Sequence, residues 1–131
     1  MKLIVAIDKS NGMLFNNRRV SQDKEVTSKI IEITKDSRLL MSEYSSKLFT
    51  EFENIIITNN VLDANPEDYF FLEDLDIVEE NIDELYVFNW NRDYPADKYF
   101  EIDLSNYKKV SKEEIVGNSH KKITLTVFRR I

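Results

Sequence analysis

The sequence predicts an α/β domain with a mostly parallel sheet, and three stretches carry that prediction. Lys2 to Asp8 is a continuous apolar run of strand length, the pattern of a strand buried on both faces. Val26, Ile30 and Ile33 recur at helical spacing. Lys121 to Ile131 alternates, with Ile123, Leu125 and Val127 on one face and Thr124, Thr126 and Phe128 on the other, as in a terminal antiparallel hairpin.

The remaining elements are read in chain order. Gly12 ends the opening strand in a turn. A helix is predicted from Gln22 to Thr34, with Ser21 as its N-cap and Asp23 and Glu25 in the first turn, where the helix dipole favours carboxylates. Arg38 to Met41 reads as a short strand and Glu43 to Phe49 as a short helix. Asn54 to Thr58 reads as a buried β-branched strand that ends at Asn59-Asn60. Tyr69 to Leu72 and Glu84 to Trp90 are two further strands. Tyr107 to Val116 pairs with the tail across a loop of Gly117, Asn118, Ser119 and His120. Strand and helix alternate as in α/β folds, without repeat or linker.

Size and charge set further bounds. The 131 residues, 42% of them hydrophobic, suit one domain over 1–131 with a core of its own. The net charge is −6 and the pI about 4.9, with an acidic run from Glu73 to Glu84, the opposite of a duplex-binding bias. Such a surface is either plain solvated exterior or a face that docks on a basic partner protein. There is no cysteine, hence no disulfide and no thiolate metal site. The apolar run Leu3 to Ile7 is too short for a signal core or a membrane span, which leads us to expect a cytoplasmic protein.

The ordered segments LIVAIDKSNGM, VSQD, LLM, ENIIITNN, ELYVFNWNRDYPADKYFEIDLSNYKKVS and ITLTVFRRI resemble the dihydrofolate reductase family over most of the chain. The resemblance implies that family's three-layer α/β fold with a closing hairpin. It also implies that one strand-helix unit is missing: a central strand, double-glycine turn and helix that cradle the cofactor pyrophosphate should lie between Asn59 and Glu84, where no glycine occurs. In another alignment ELYVFNW takes that strand, and Asn89-Trp90-Asn91 replaces the glycines.

Residue by residue, the resemblance puts Asp23 at the pocket acid that would assist protonation of a pterin; as a helix-start acid it equally suits the dipole. Ala6 falls on the small residue lining the pterin pocket, or is ordinary core. Gly12 and Ser45 fall near cofactor-binding positions. The departures are larger. The family's glycine-arginine pair is Ser42-Glu43, and an anion about 4 Å from a phosphate costs of order 4 kcal/mol per unit charge near a surface. The arginine that clamps the substrate tail is Phe52, between Glu51 and Glu53, and the threonine that partners the pocket acid is Phe88, a ring expected to fill the pterin's space. Arg18 and Arg19 stand where a tryptophan is expected, and are candidates to pair with Asp23.

Other chemistries have less support. His120, the one histidine, lies in a hairpin loop, where an exposed turn residue is a poor base for a Ser-His-Asp set or a metal site. Trp90, Tyr94, Tyr99 and Phe100 form an aromatic cluster, either packing or a docking patch. The sequence therefore points to a pseudoenzyme, a reductase-like protein without NADPH or folate binding that acts by binding a protein, with no cofactor and no direct nucleic-acid or membrane partner expected. Charge and size alone also suit an inhibitor carried by a phage or mobile element. The rival is an active or altered NADPH-dependent dihydrofolate reductase, with Asp23 as its acid, NADP as cofactor, and Arg18, Arg19 or Lys47 drawing phosphates.

Overall fold

A computed structural model describes residues 1–131. Its main sheet is built from β1 (Lys2–Ile7), β4 (Leu39–Met41), β5 (Ile55–Ile57), β6 (Tyr69–Phe71), β7 (Glu84–Asn89), β9 (Tyr107–Ile115) and β10 (Ile123–Arg130). These seven strands lie in the order β5-β4-β6-β1-β7-β10-β9. A small sheet joins β2 (Gly12–Phe15) to β3 (Arg18–Arg19) and β8 (Lys98–Tyr99). The helices are α1 (Lys24–Thr34) and the single turn α2 (Glu43–Ser46). Pairing is parallel from β5 to β7 and antiparallel in the closing β9-β10 hairpin and between β10 and β7. The predicted α/β architecture is present.

Strand alternation divides the interior into two cores. Leu3, Val5, Ile7, Leu40, Phe70, Leu85 and Val87 point to one, which the β2 segment covers with Met13 and Leu14. Ile4, Met41, Phe71, Phe88, Ile123 and Leu125 point to the other, which α1 covers with Val26 and Ile30. The tail keeps its expected alternation, with a bulge between Val127 and Phe128 where the register with β9 shifts.

Several boundaries differ from expectation for identifiable reasons. The helix starts at Lys24, and its N-cap is Asp23, whose side chain accepts from the Glu25 N–H. Ser21 has a hydroxyl able to cap, but its hydrogen bond goes to His120 instead. Gly12 does not make its turn by a left-handed backbone: Asn11 does, at φ 68°. Gly12 is required by close approach, because a Cβ there would meet the Ala96 Cβ at 2.7 Å and Asp8 Oδ1 at 3.0 Å.

The strand over Ile55–Ile57 is not buried. It forms one edge of the sheet, with Ile56 36% and Ile57 56% exposed. A β-branched run specifies strand conformation and leaves the strand's place in the sheet open. Of the strand-helix unit expected to be missing, the strand exists: β6 lies between β4 and β1, and ELYVFNW forms β7 on the far side of β1. After β6 the chain runs through Leu72-Glu73-Asp74 into an irregular stretch holding one 3₁₀ turn, Glu79–Asn81, with neither glycine nor α-helix.

Candidate functional site: a carboxylate closed over by the hairpin loop

Asp23 sits where the extended stretch after β3 enters α1, beneath the β9-β10 loop, and is 4% exposed. Its carboxylate holds both ends of that junction. Oδ1 accepts from the N–H groups of Glu25 and Asn118, each at 2.9 Å. Oδ2 accepts from the Ser119 N–H at 2.8 Å, the Ser119 hydroxyl at 3.1 Å, the His120 N–H at 3.2 Å and His120 Nδ1 at 2.9 Å. Burial, the largest single influence, works to raise its pKa. The hydrogen bonds from Asn118, Ser119, His120 and Glu25 outweigh it and hold the carboxyl well below the usual aspartate range.

His120 is therefore not an exposed turn residue; it is 4% exposed. The tight turn at Gly117, whose N–H bonds to the His120 carbonyl at 2.8 Å, folds the ring inward. Its Nε2 lies 2.9 Å from Ser21 Oγ and 3.0 Å from the Tyr94 hydroxyl, and Trp90 stacks against the ring at 4.7 Å between centroids. Tyr94 is fixed in turn by Asp8, whose Oδ2 accepts its N–H at 3.0 Å while Oδ1 accepts from Ser10 and Gly12. Sequence reasoning gives Asp8 no role. An acid two residues before a turn that offers free N–H groups is the signal it carries.

The other site candidates fall in separate places. Ala6 pairs in register with Phe88 on β7, and Phe88 is fully buried under α1 with Ile30 and Trp90. Arg19 does not pair with Asp23. Its guanidinium forks onto Glu73 at 2.9 and 3.0 Å and lies over the Tyr44 ring, while Arg18 has no carboxylate partner. The turn Leu72-Glu73-Asp74 thus brings two carboxylates to α2: Ser45 donates to Glu73 at 2.8 Å, and Ser42, the N-cap, donates to Asp74 at 2.6 Å. Glu43 opens α2 from the exposed side.

Phe52 and Glu53 line a groove of about 560 Å³ between the C-terminal end of α1 and β5. Lys35 and Arg38 line it as well. The Arg38 fork is already taken by Asp68, at 3.0 and 2.7 Å.

No protein-family model and no curated protein matches the chain. Among solved structures it is similar to dihydrofolate reductase from Enterococcus faecalis complexed with NADP(H) and RAB-propyl, at 13% identity and a TM-score of 0.71. That alignment covers 98% of this chain and 95% of that one. The chain therefore has a dihydrofolate reductase-like fold. At 13% identity the likeness is one of fold alone. No helix is long and apolar enough to cross a membrane.

Proposed function

We propose that this chain is a dihydrofolate reductase-like domain that no longer binds NADPH or folate, and that it works by binding a protein partner. The observation that carries the first half is the saturation of Asp23. An ionised carboxylate has about four acceptor sites, and six donors from the 117–120 loop and α1 already converge on this one. A pterin would have to displace several of them. Phe88 supports the same reading, because a fully buried ring next to Ala6 leaves no slot between sheet and helix.

A dinucleotide does not fit the residues at α2 and the end of β6. Glu73 and Asp74 hold the Ser45 and Ser42 hydroxyls, the one arginine present, Arg19, is already forked onto Glu73, and Glu43 adds a further carboxylate at the helix start. A phosphate there would meet carboxylates where it needs donors, and no glycine lets the backbone approach it.

The binding half rests on the sheet edge. β5 presents Ile56 and Ile57, with Phe52 and Leu62 also exposed, and acidic side chains at Glu51, Glu53 and Asp63 surround them. The opposite edge, β9, carries Lys108, Lys109, Lys112, Glu113 and Glu114, which discourage pairing. An apolar edge ringed with carboxylates suits a basic partner that adds a strand.

Scanning fluorimetry with NADPH and with methotrexate tests the first half: neither ligand is expected to move the melting temperature. An upshift of several degrees that Asp23→Asn weakens would establish the reductase instead. For the second half, Ile57→Asp and Leu62→Asp are expected to leave melting unchanged and to lose the capture of a partner that the wild-type chain shows; equal capture by the variants would overturn it.

A further inference from the structure

Once its carboxylate is withdrawn from folate chemistry, Asp23 is left as one end of a connected line of side chains. An ionised carboxylate only accepts, so the proton between it and the imidazole lies on His120 Nδ1, and Nε2 is left as the acceptor. That nitrogen faces the Ser21 hydroxyl at 2.9 Å, while Nδ1 meets Asp23 Oδ2 at 2.9 Å. Both distances lie within the roughly 2.6–3.2 Å range of a nucleophile and its base. Such a set is recognised by geometry and role, whatever its order in the chain.

Three features make this more than a packed polar cluster. Ser21 is half-buried while Asp23 and His120 are buried, so the serine is the most exposed member of the line. Val20, the serine's neighbour in the chain, and Tyr94, its hydrogen-bond partner, line an open groove of about 500 Å³ with Phe15, Asn16, Arg18, Arg19 and Pro95, next to which Ser21 lies. Arg18 in that groove has no carboxylate partner and supplies a free cation. Finally, the N–H of Gln22, directly after the hydroxyl in the chain, takes part in no hydrogen bond of the fold. It is available to an oxyanion.

We propose that Ser21, His120 and Asp23 form a nucleophilic relay that cleaves small carboxylic esters bearing an anionic group, with Arg18 attracting the anion. Ser21 Oγ attacks the carbonyl carbon as its proton passes to His120 Nε2. The C–O bond to the leaving alcohol breaks, and that oxygen takes the proton from Nε2. Water then attacks the acyl carbon, giving its proton to Nε2, and the acid departs as the Ser21 hydroxyl is restored. Asp23 touches no reacting atom; it is a positioning residue that fixes the tautomer and the ring. Tyr94, 3.0 Å from Nε2 and 3.3 Å from Ser21 Oγ, competes with the serine for the base.

The test is covalent labelling of the intact chain with an alkyl fluorophosphonate, read by intact mass and peptide mapping, beside hydrolysis of the 4-nitrophenyl hemiester of succinate. The proposal expects one adduct per chain, on Ser21, absent from Ser21→Ala and from His120→Gln, and retained by Tyr94→Phe. It expects ester hydrolysis at least about tenfold above that of Ser21→Ala, with KM raised in Arg18→Ala. Asp23→Asn should keep Ser21 in place yet lose the rise of labelling rate with pH. Should that variant unfold, Ser21→Ala and Tyr94→Phe, checked by melting, carry the test alone. No adduct at millimolar probe, or equal labelling of wild type and Ser21→Ala, overturns it.

Discussion

Asp23 and His120, 97 positions apart in the chain, meet through one carboxylate oxygen that accepts both the backbone N–H and Nδ1 of the histidine. This contact ties the start of α1 to the closing hairpin. It fixes the loop over the start of the helix.

Replacing that acid therefore tests the junction. Asp23→Asn puts an amide NH₂ or a neutral oxygen against the N–H groups of Asn118, Ser119 and His120. Leaving a buried donor without its acceptor costs about 1–3 kcal/mol. Urea unfolding should show a loss of that size, and amide exchange at Asn118, Ser119 and His120 should accelerate before exchange in β1 does.

The two glycines are held by contacts rather than by backbone angle, since neither has a positive φ. A Cβ at Gly117 would lie 2.5 Å from the His120 carbonyl oxygen and 2.6 Å from Asp23 Oδ2. Gly117→Ala should cost about 3 kcal/mol and Gly12→Ala about 1–3 kcal/mol. Adding Ala96→Gly to Gly12→Ala should recover part of the second loss and none of the first, as read by thermal melting.

The ion pairs differ by burial. Arg19 and Glu73 are both largely covered, whereas Arg129, facing Glu84, is 63% exposed. Arg19→Ala leaves a covered carboxylate without its fork and should destabilise by about 3 kcal/mol. Arg129→Ala should cost at most about 1 kcal/mol. Glu73→Gln in the Arg19→Ala background should restore part of the stability, in a double-mutant cycle by urea unfolding.

Acid should weaken the fold in a defined window. Asp23 and Asp68 both have lowered pKa values. In Asp68 the hydrogen bond from Arg38 is the main cause. In the unfolded chain these groups take up protons near pH 3.9, before the folded chain does. Their stabilisation is full at neutral pH and is lost as pH falls below about 5. Melting temperature should be flat in this respect from pH 7 to about 5.5 and fall below that, less steeply in Asp23→Asn.

What the sequence discloses depends on how local the cause is. The run Lys2–Ile7 and the alternation of Ile123, Leu125 and Val127 are short-range patterns, and both elements stand where they are expected. Phe88 packs in the core beneath α1 with Ile30 and Trp90. Pairings across the fold are not legible. Ser21 and Asp23 are both cap-type residues two positions apart, and the loop that selects Asp23 lies far away in sequence. Gly-Asn-Ser-His has the composition of an exposed turn, yet the carboxylate beneath it draws the histidine inward. Arg19 takes Glu73, 54 residues on, over the nearer Asp23, because the turn after β6 brings that carboxylate to it.

The hairpin loop occupies the Asp23 carboxylate, and the proposed loss of folate binding rests on that contact. Amide chemical shifts of Asn118, Ser119 and His120, followed while NADPH and then methotrexate are added to millimolar concentration, test it most directly. The account predicts that these resonances stay in place and remain slow to exchange. Saturable shifts at all three, accompanied by faster exchange as the loop yields Asp23 to the ligand, would contradict it.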